Sequence, residues 1–121
     1  MSQPTVELKV EWDAPQMALI TWVVEPLISD PLNNGLYTMI LRHFWNKNYA
    51  KIYNRVPPYK FRLKDFEAVA LQKVLLQTGL ENHLADALRN GVIAELDQQL
   101  PHNSLKQIHA TWPAQLASVN S

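Results

Sequence analysis

The chain has 121 residues with eleven basic and eleven acidic side chains, and its formal net charge is zero. This length favours one domain that can bury its own core, so we interpret residues 1–121 as a single domain in which 113–121 form a frayed C-terminal tail. The complete lack of cysteine excludes disulfides and thiol nucleophiles. Because neither a signal peptide nor a membrane-spanning apolar run is visible, we expect a cytoplasmic protein with no membrane partner.

The first two predicted elements lie before residue 25. From Thr5 to Trp12, apolar and charged residues alternate, which is typical of a half-buried strand. The stretch from Met17 to Val24 is almost continuously apolar, so we interpret it as a second strand that is buried on both faces. The alternative for this stretch is a helix capped by Asp13, with Pro15 in its first turn.

A helix, a third strand and two further helices are predicted after a turn-rich segment. Apolar residues within one arc predict a helix from Leu36 to about Tyr53, and alternation predicts a strand from Tyr59 to Lys64. A helix is expected from Asp65 to Thr78, and leucines spaced by four predict a long helix from Asn82 to Leu100. We expect the segment from Ser104 to Trp112 to add one or two helical turns.

The predicted order of elements is β-β-α-β-α-α. We therefore expect a small α+β domain with a short three-stranded sheet and about three helices packed against it. If residues 17–24 are helical instead, the alternative is a mostly α fold.

Most catalytic signatures lack the residues that they need. Three scattered glycines cannot build a glycine-rich phosphate-binding loop. The four histidines do not have the spacing of metal ligands. We therefore predict no catalytic residue, no metal site and no cofactor, and the sequence favours a non-enzymatic function, although an enzyme with a dispersed site stays open.

Charge is distributed unevenly along this neutral chain. From Pro31 to Lys64 there is no Asp or Glu, so this stretch carries a charge of +7, whereas residues 1–30 sum to −4 and 65–121 to −3. It also holds seven of the eleven aromatic residues. The predicted binding residues for nucleic acid or an acidic partner are its bases, Arg42, Lys47, Lys51, Arg55, Lys60, Arg62 and Lys64.

The strongest form of such a site is the outer face of the strand from Tyr59 to Lys64. Bases attract phosphates, and aromatic rings can stack on unpaired nucleobases. Against this, Arg42 and Lys51 are nine residues apart, which places them on opposite sides of one helix. An alternative is neutralisation within the fold, with Glu7 and Glu11 of the first strand offsetting the bases of the third.

Our leading functional hypothesis is a non-enzymatic protein-interaction module or structural subunit of a complex or homo-oligomer. Trp, Tyr and Arg dominate the energetics of protein interfaces. The predicted exposed anchors are Trp12, Tyr49, Tyr53 and Trp112, because each lies near an element end or outside the main apolar arc. The alternative is a small nucleic-acid-binding protein that uses the basic, aromatic segment 42–64.

Overall fold

The computed structural model describes residues 7–80 and 82–100, which form an α+β fold as expected. The predicted turns at 104–112 and the predicted tail at 113–121 lie outside the described residues. Within them the elements are β1 (Glu7–Trp12), α1 (Ala14–Ser29), α2 (Leu36–Lys47), α3 (Tyr49–Tyr53), β2 (Tyr59–Lys64), α4 (Asp65–Gln77) and α5 (His83–Gln99).

Strands β1 and β2 pair antiparallel in a sheet that has two strands in the described part of the chain, rather than the three predicted. In the register, Leu8 lies opposite Leu63 and Val10 opposite Phe61. The inward-facing side chains of both strands are buried, except for the half-buried Tyr59, whereas the charged residues between them are exposed. The alternation therefore places the apolar side of the sheet on the core and leaves the other side in solvent.

The predicted strand at 17–24 is wrong, because these residues lie inside helix α1 and the alternative helix is confirmed. The start of α1 is a capping box: the Asp13 carboxylate accepts from the Gln16 backbone N–H at 2.9 Å, and the Gln16 side chain accepts from the Asp13 backbone N–H at 2.9 Å. Pro15 lies in the first turn, where its missing N–H has no cost. The nearly continuous apolar pattern reflects a helix that packs against α2, α4 and α5.

The helix predicted from Leu36 to about Tyr53 is divided in two at Asn48. The backbone N–H and the side-chain amide of Asn48 both donate to the Phe44 carbonyl at 3.0 Å, which ends α2. The short helix α3 follows and buries Ile52.

Phe61 of β2 links the sheet to the helices. Its ring centroid lies 5.3 Å from that of Trp12 and 5.8 Å from that of Phe44 in α2. Helix α4 is buried along most of its length and contacts both strands, α1, α2 and α5, so it occupies the centre of the core. No helix in residues 7–80 and 82–100 is long and apolar enough to cross a membrane.

Two candidate interaction surfaces

The guanidinium of Arg42 is engaged in hydrogen bonds within the fold. From α2 it reaches the end of α1, where its Nε donates to the Ile28 carbonyl at 2.9 Å and its Nη2 donates to the carbonyls of Asp30 and Asn33 at 3.1 and 3.0 Å. Carbonyls at the end of a helix have no intrahelical donor, and a guanidinium can satisfy them. The structure therefore separates Arg42 from the other predicted binding residues.

Lys47 is likewise engaged within the fold. Its Nζ lies 3.5 Å from Oε2 of Glu67, a carboxylate that is only 1% exposed. The other oxygen of Glu67 accepts from the Lys64 backbone N–H at 2.8 Å and so caps α4. A buried carboxylate needs hydrogen-bond donors and an opposite charge. The Lys64 N–H supplies a donor and Lys47 supplies the charge.

Four of the predicted bases, Lys51, Arg55, Lys60 and Arg62, do come together. They line two adjoining grooves of about 390 and 160 Å³, which share Lys51 and Lys60 and run beside β2. Lys9 of β1 joins them from its position opposite Arg62. We call these five residues, Lys9, Lys51, Arg55, Lys60 and Arg62, the basic face.

The basic face has no ion-pair partner among the described residues. In residues 7–80 and 82–100 the ion pairs closer than 4.0 Å are Lys47–Glu67 and Arg89–Asp86. Glu11 lies opposite Lys60, and Glu7 lies opposite Lys64, yet neither acid is within ion-pair distance. The ammonium of Lys64 instead lies 5.9 Å from the centre of the Phe66 ring.

The free edge of β1 is covered by α5. The Gln99 side chain accepts from the Lys9 backbone N–H at 3.2 Å and donates to the Lys9 carbonyl at 2.9 Å. The Glu95 carboxylate accepts from the backbone N–H of Glu11, and burial nevertheless raises the pKa of Glu95 above its ordinary value. Side chains of α5 thus take the place of a third strand along this edge.

A second candidate surface lies on the outer side of α1 and is apolar. Trp22 is 63% exposed and stands beside a groove of about 730 Å³ between α1 and the start of α5. The residues that line the groove are Pro15, Ala18, Leu19, Trp22, Gly79, Leu80, Asn82, Ala85 and Leu88. This surface was not predicted from the sequence, because the apolar stretch that contains Trp22 suggests a strand buried on both faces. We call it the Trp22 groove.

The predicted interface anchors have different environments. Trp12 is only 1% exposed and packs against Phe61, so its predicted exposure is wrong: the alternation of β1 directs it to the core. Tyr49 and Tyr53 are exposed, and their ring centroids lie 4.6 Å apart. Trp112 lies outside the described residues.

The hydroxyl of Tyr53 connects three helices. It accepts from the indole N–H of Trp45 in α2 at 2.9 Å and donates to the carboxylate of Glu25 in α1. Burial raises the pKa of Tyr53, and the hydrogen bond to Glu25 raises it further. Its ring is exposed, but its polar end belongs to the fold, so the role of Tyr53 as an anchor stays a prediction.

No group of three or more His, Asp or Glu side chains in the described ranges is arranged to hold a metal ion. Comparisons with protein-family models, with curated proteins and with solved structures found no match for this chain. The features that bear on its function are therefore the two surfaces, the basic face and the Trp22 groove.

Proposed function

We propose that this protein is a non-enzymatic interaction module or structural subunit, and that it associates with a second copy of itself through the Trp22 groove. The observation that carries this proposal is the exposure of Trp22 beside an apolar groove of about 730 Å³. Trp is the residue most enriched among those that dominate binding energy at interfaces. An exposed Trp next to an apolar groove is therefore the feature expected of a contact surface.

The outer side of α1 favours close approach by another element. Its exposed positions include Ala14, Ala18 and Trp22, so two small side chains precede one large ring at four-residue spacing along the helix. On the α5 side of the groove, Leu88 is half-buried and lines it, and Leu84, one turn earlier on the same helix, is exposed. Burying this apolar surface against a partner would stabilise the complex by about 25 cal/mol for each Å² removed from water.

A second copy suits this surface because the protruding ring and the groove are neighbours on one face. In a two-fold dimer the same patch of each protomer meets the other, so each Trp22 can enter the groove of its partner. One patch then supplies two equivalent anchors, which favours self-association without a different partner protein. The dimer therefore makes use of both features of the face.

The test is sedimentation equilibrium of the full chain and of Trp22→Ala, from about 1 to 200 μM. We expect a dimer that dissociates on dilution, with a dissociation constant at least about 100-fold weaker in the variant, because two anchors are lost per dimer. Tyr49→Ala is a matched control, since Tyr49 is similarly exposed but does not line the groove. A chain that stays monomeric throughout this range would contradict the proposal.

The same experiment separates the Trp22 groove from the predicted anchor outside the described residues. Trp112→Ala should leave the dissociation constant within about threefold of the unaltered chain if Trp22 is the anchor. A dimer that is lost in Trp112→Ala and kept in Trp22→Ala would overturn the assignment to the groove while keeping self-association.

A further inference from the structure

The solvent side of the sheet places like charges next to each other. Lys9 and Arg62 are directly opposite in the antiparallel register, and like-charged cross-strand neighbours are destabilising. Lys51 and Lys60 line the same groove, with Glu11 as the acid among them. A surface with four bases and one acid is complementary to a negatively charged ligand.

The edge of β2 carries unpaired backbone groups. Because the N–H and the C=O of Lys9 both bond to Gln99, they point away from β2. In an antiparallel ladder, directly opposite residues share this orientation, and it recurs at every second residue. Arg62, opposite Lys9, and Lys60, opposite Glu11, therefore direct their N–H and C=O groups away from β1.

These groups have no hydrogen-bond partner within residues 7–80 and 82–100. The neighbouring edge position, Lys64, differs because its N–H donates to Glu67. The edge of β1 also differs, because Gln99 and Glu95 cover it. The edge of β2 is therefore open for two residues, Lys60 and Arg62, and both carry a base of the basic face.

We propose that the basic face and the open edge of β2 together bind an acidic, extended segment of a partner protein, which adds to the sheet as a third strand. An added strand pairs its backbone with the two N–H and two C=O groups of Lys60 and Arg62. Its side chains on the solvent side repeat every second residue, which is the spacing of these two bases along β2. Acids at those positions lie beside Lys60 and Arg62, and Lys51 lines the same groove.

Charge and shape favour a peptide over a single-stranded nucleic acid on this face. Sequence-independent binding of single strands relies on exposed aromatic rings among the bases. Tyr59 lines one groove of the basic face, but it is half-buried and packs against the core. The exposed Tyr49 and Tyr53 are each two positions from Lys51, which is about 200° around a helix. These two rings therefore lie on the other side of α3. The unpaired N–H and C=O groups of the β2 edge are complementary to the backbone of an added peptide strand.

The experiment measures fluorescence anisotropy of a labelled octapeptide of alternating Glu and Thr, titrated with the full chain at about 20 and 150 mM salt. We expect binding that weakens at the higher salt, and at least a tenfold loss in Lys60→Glu/Arg62→Glu. Lys73→Glu is the matched control, because Lys73 on α4 lines neither groove of the basic face. If the double variant does not fold by circular dichroism, Lys51→Glu takes its place, since it leaves both strands unchanged.

Two further probes test the third strand itself. The same peptide with N-methyl groups on alternate backbone nitrogens keeps its charge but cannot donate to the edge, so we expect at least a tenfold loss. Equal binding by the methylated peptide would overturn strand addition, and tighter binding of a single-stranded oligonucleotide at both salt concentrations would overturn the assignment to a peptide. Absence of peptide binding at low salt would overturn the proposal altogether.

This inference does not depend on self-association. The Trp22 groove and the two grooves of the basic face share no lining residue. Trp22→Ala should therefore leave peptide affinity unchanged, and a loss of peptide binding in that variant would count against a site on the sheet.

Discussion

The bases of α2 and those beside β2 belong to the same acid-free stretch of sequence, yet the fold uses them differently. Arg42 and Lys47 are bonded to oxygens that the fold itself buries or leaves without a donor. Lys51, Lys60 and Arg62 have no ion-pair partner among the described residues. The difference teaches that a run of bases is not one surface: helix ends and buried carboxylates claim the bases within reach, and only the remainder can bind a partner.

The largest effect should come from removing Glu67, the buried acid of α4 that pairs with Lys47 of α2. Glu67→Ala eliminates the cap on α4, leaves Lys47 without its partner and empties a buried site. We expect the free energy of unfolding in urea to fall by about 2–4 kcal/mol. Glu7→Ala, which removes an exposed acid opposite Lys64, is the control and should change it by less than about 0.5 kcal/mol.

A loss below about 1 kcal/mol in Glu67→Ala would mean that the Lys47 pair and the cap are not coupled to global stability. In that case the contrast between engaged and free bases would lose its energetic basis. The variant Glu67→Gln refines the result, because it keeps an acceptor for the Lys64 N–H while removing the charge that Lys47 neutralises.

An intermediate effect is expected from the two arginines. Arg42→Ala removes three hydrogen bonds, two to carbonyls at the end of α1 and one to the Asn33 carbonyl in the connection that follows. We therefore expect a loss of about 1–3 kcal/mol in the urea-derived free energy of unfolding. Arg62→Ala should lie within about 0.5 kcal/mol of the unaltered chain, or be slightly stabilising, because it relieves repulsion with Lys9.

The variant Arg42→Lys distinguishes geometry from charge in this prediction. A lysine keeps the positive charge near the helix end but cannot donate along the guanidinium directions to three carbonyls. We expect it to recover less than half of the stability lost in Arg42→Ala. Full recovery would show that charge at the helix end, rather than the hydrogen bonds, is what α1 requires.

The smallest effect is expected from Glu95, a partly buried acid beside β1, on the pH dependence of stability. Because burial raises the pKa of Glu95, the folded protein holds the proton more tightly than the unfolded chain does. The stability that this preference contributes is present at low pH and is lost as the pH rises through the folded pKa. Glu95→Gln keeps an acceptor for the Glu11 N–H without a charge, so it should become the more stable protein as the pH rises.

Unfolding in urea at several pH values from about 4 to 7 checks this prediction. The advantage of Glu95→Gln should grow with pH and stay below about 1 kcal/mol, since this carboxylate is only half-buried and water screens it. A difference between the two proteins that shrinks as the pH rises would contradict the direction of the shift.

Elements with one clear periodicity could be predicted from the sequence. The strand from Tyr59 to Lys64 has the predicted bounds, and the start of α5 follows its cap, the Asn82 side chain, which accepts from the Leu84 N–H at 2.8 Å. The segment at 17–24 was ambiguous because an all-apolar run suits a buried strand and a buried helix equally. Gln16, the second half of the capping box with Asp13, was the local signal for the helix.

The candidate surfaces depend on tertiary structure that local patterns do not contain. The Trp22 groove could not be predicted once α1 was assigned as a strand. Lys9 was not among the predicted binding residues because it lies outside the acid-free stretch from Pro31 to Lys64, and its position opposite Arg62 is a matter of register. Register between strands with a long connection is set by the fold rather than by a turn. The hydrogen bonds of Arg42 could not be predicted either, because they depend on where the end of α1 lies relative to α2 in the folded chain.

The two hydrogen bonds between Gln99 and the Lys9 backbone have a consequence for the chain during its synthesis on the ribosome. The two residues are 90 positions apart, so at about 5–20 residues per second a ribosome produces Lys9 roughly 5–20 s before Gln99. Throughout that interval β1 lacks the residue that covers its edge, and nascent chains on one messenger are close neighbours. The charged residues Glu7, Lys9 and Glu11 then serve as gatekeepers, because a strand with a charge at every second position is a poor template for aggregation before the native cover arrives.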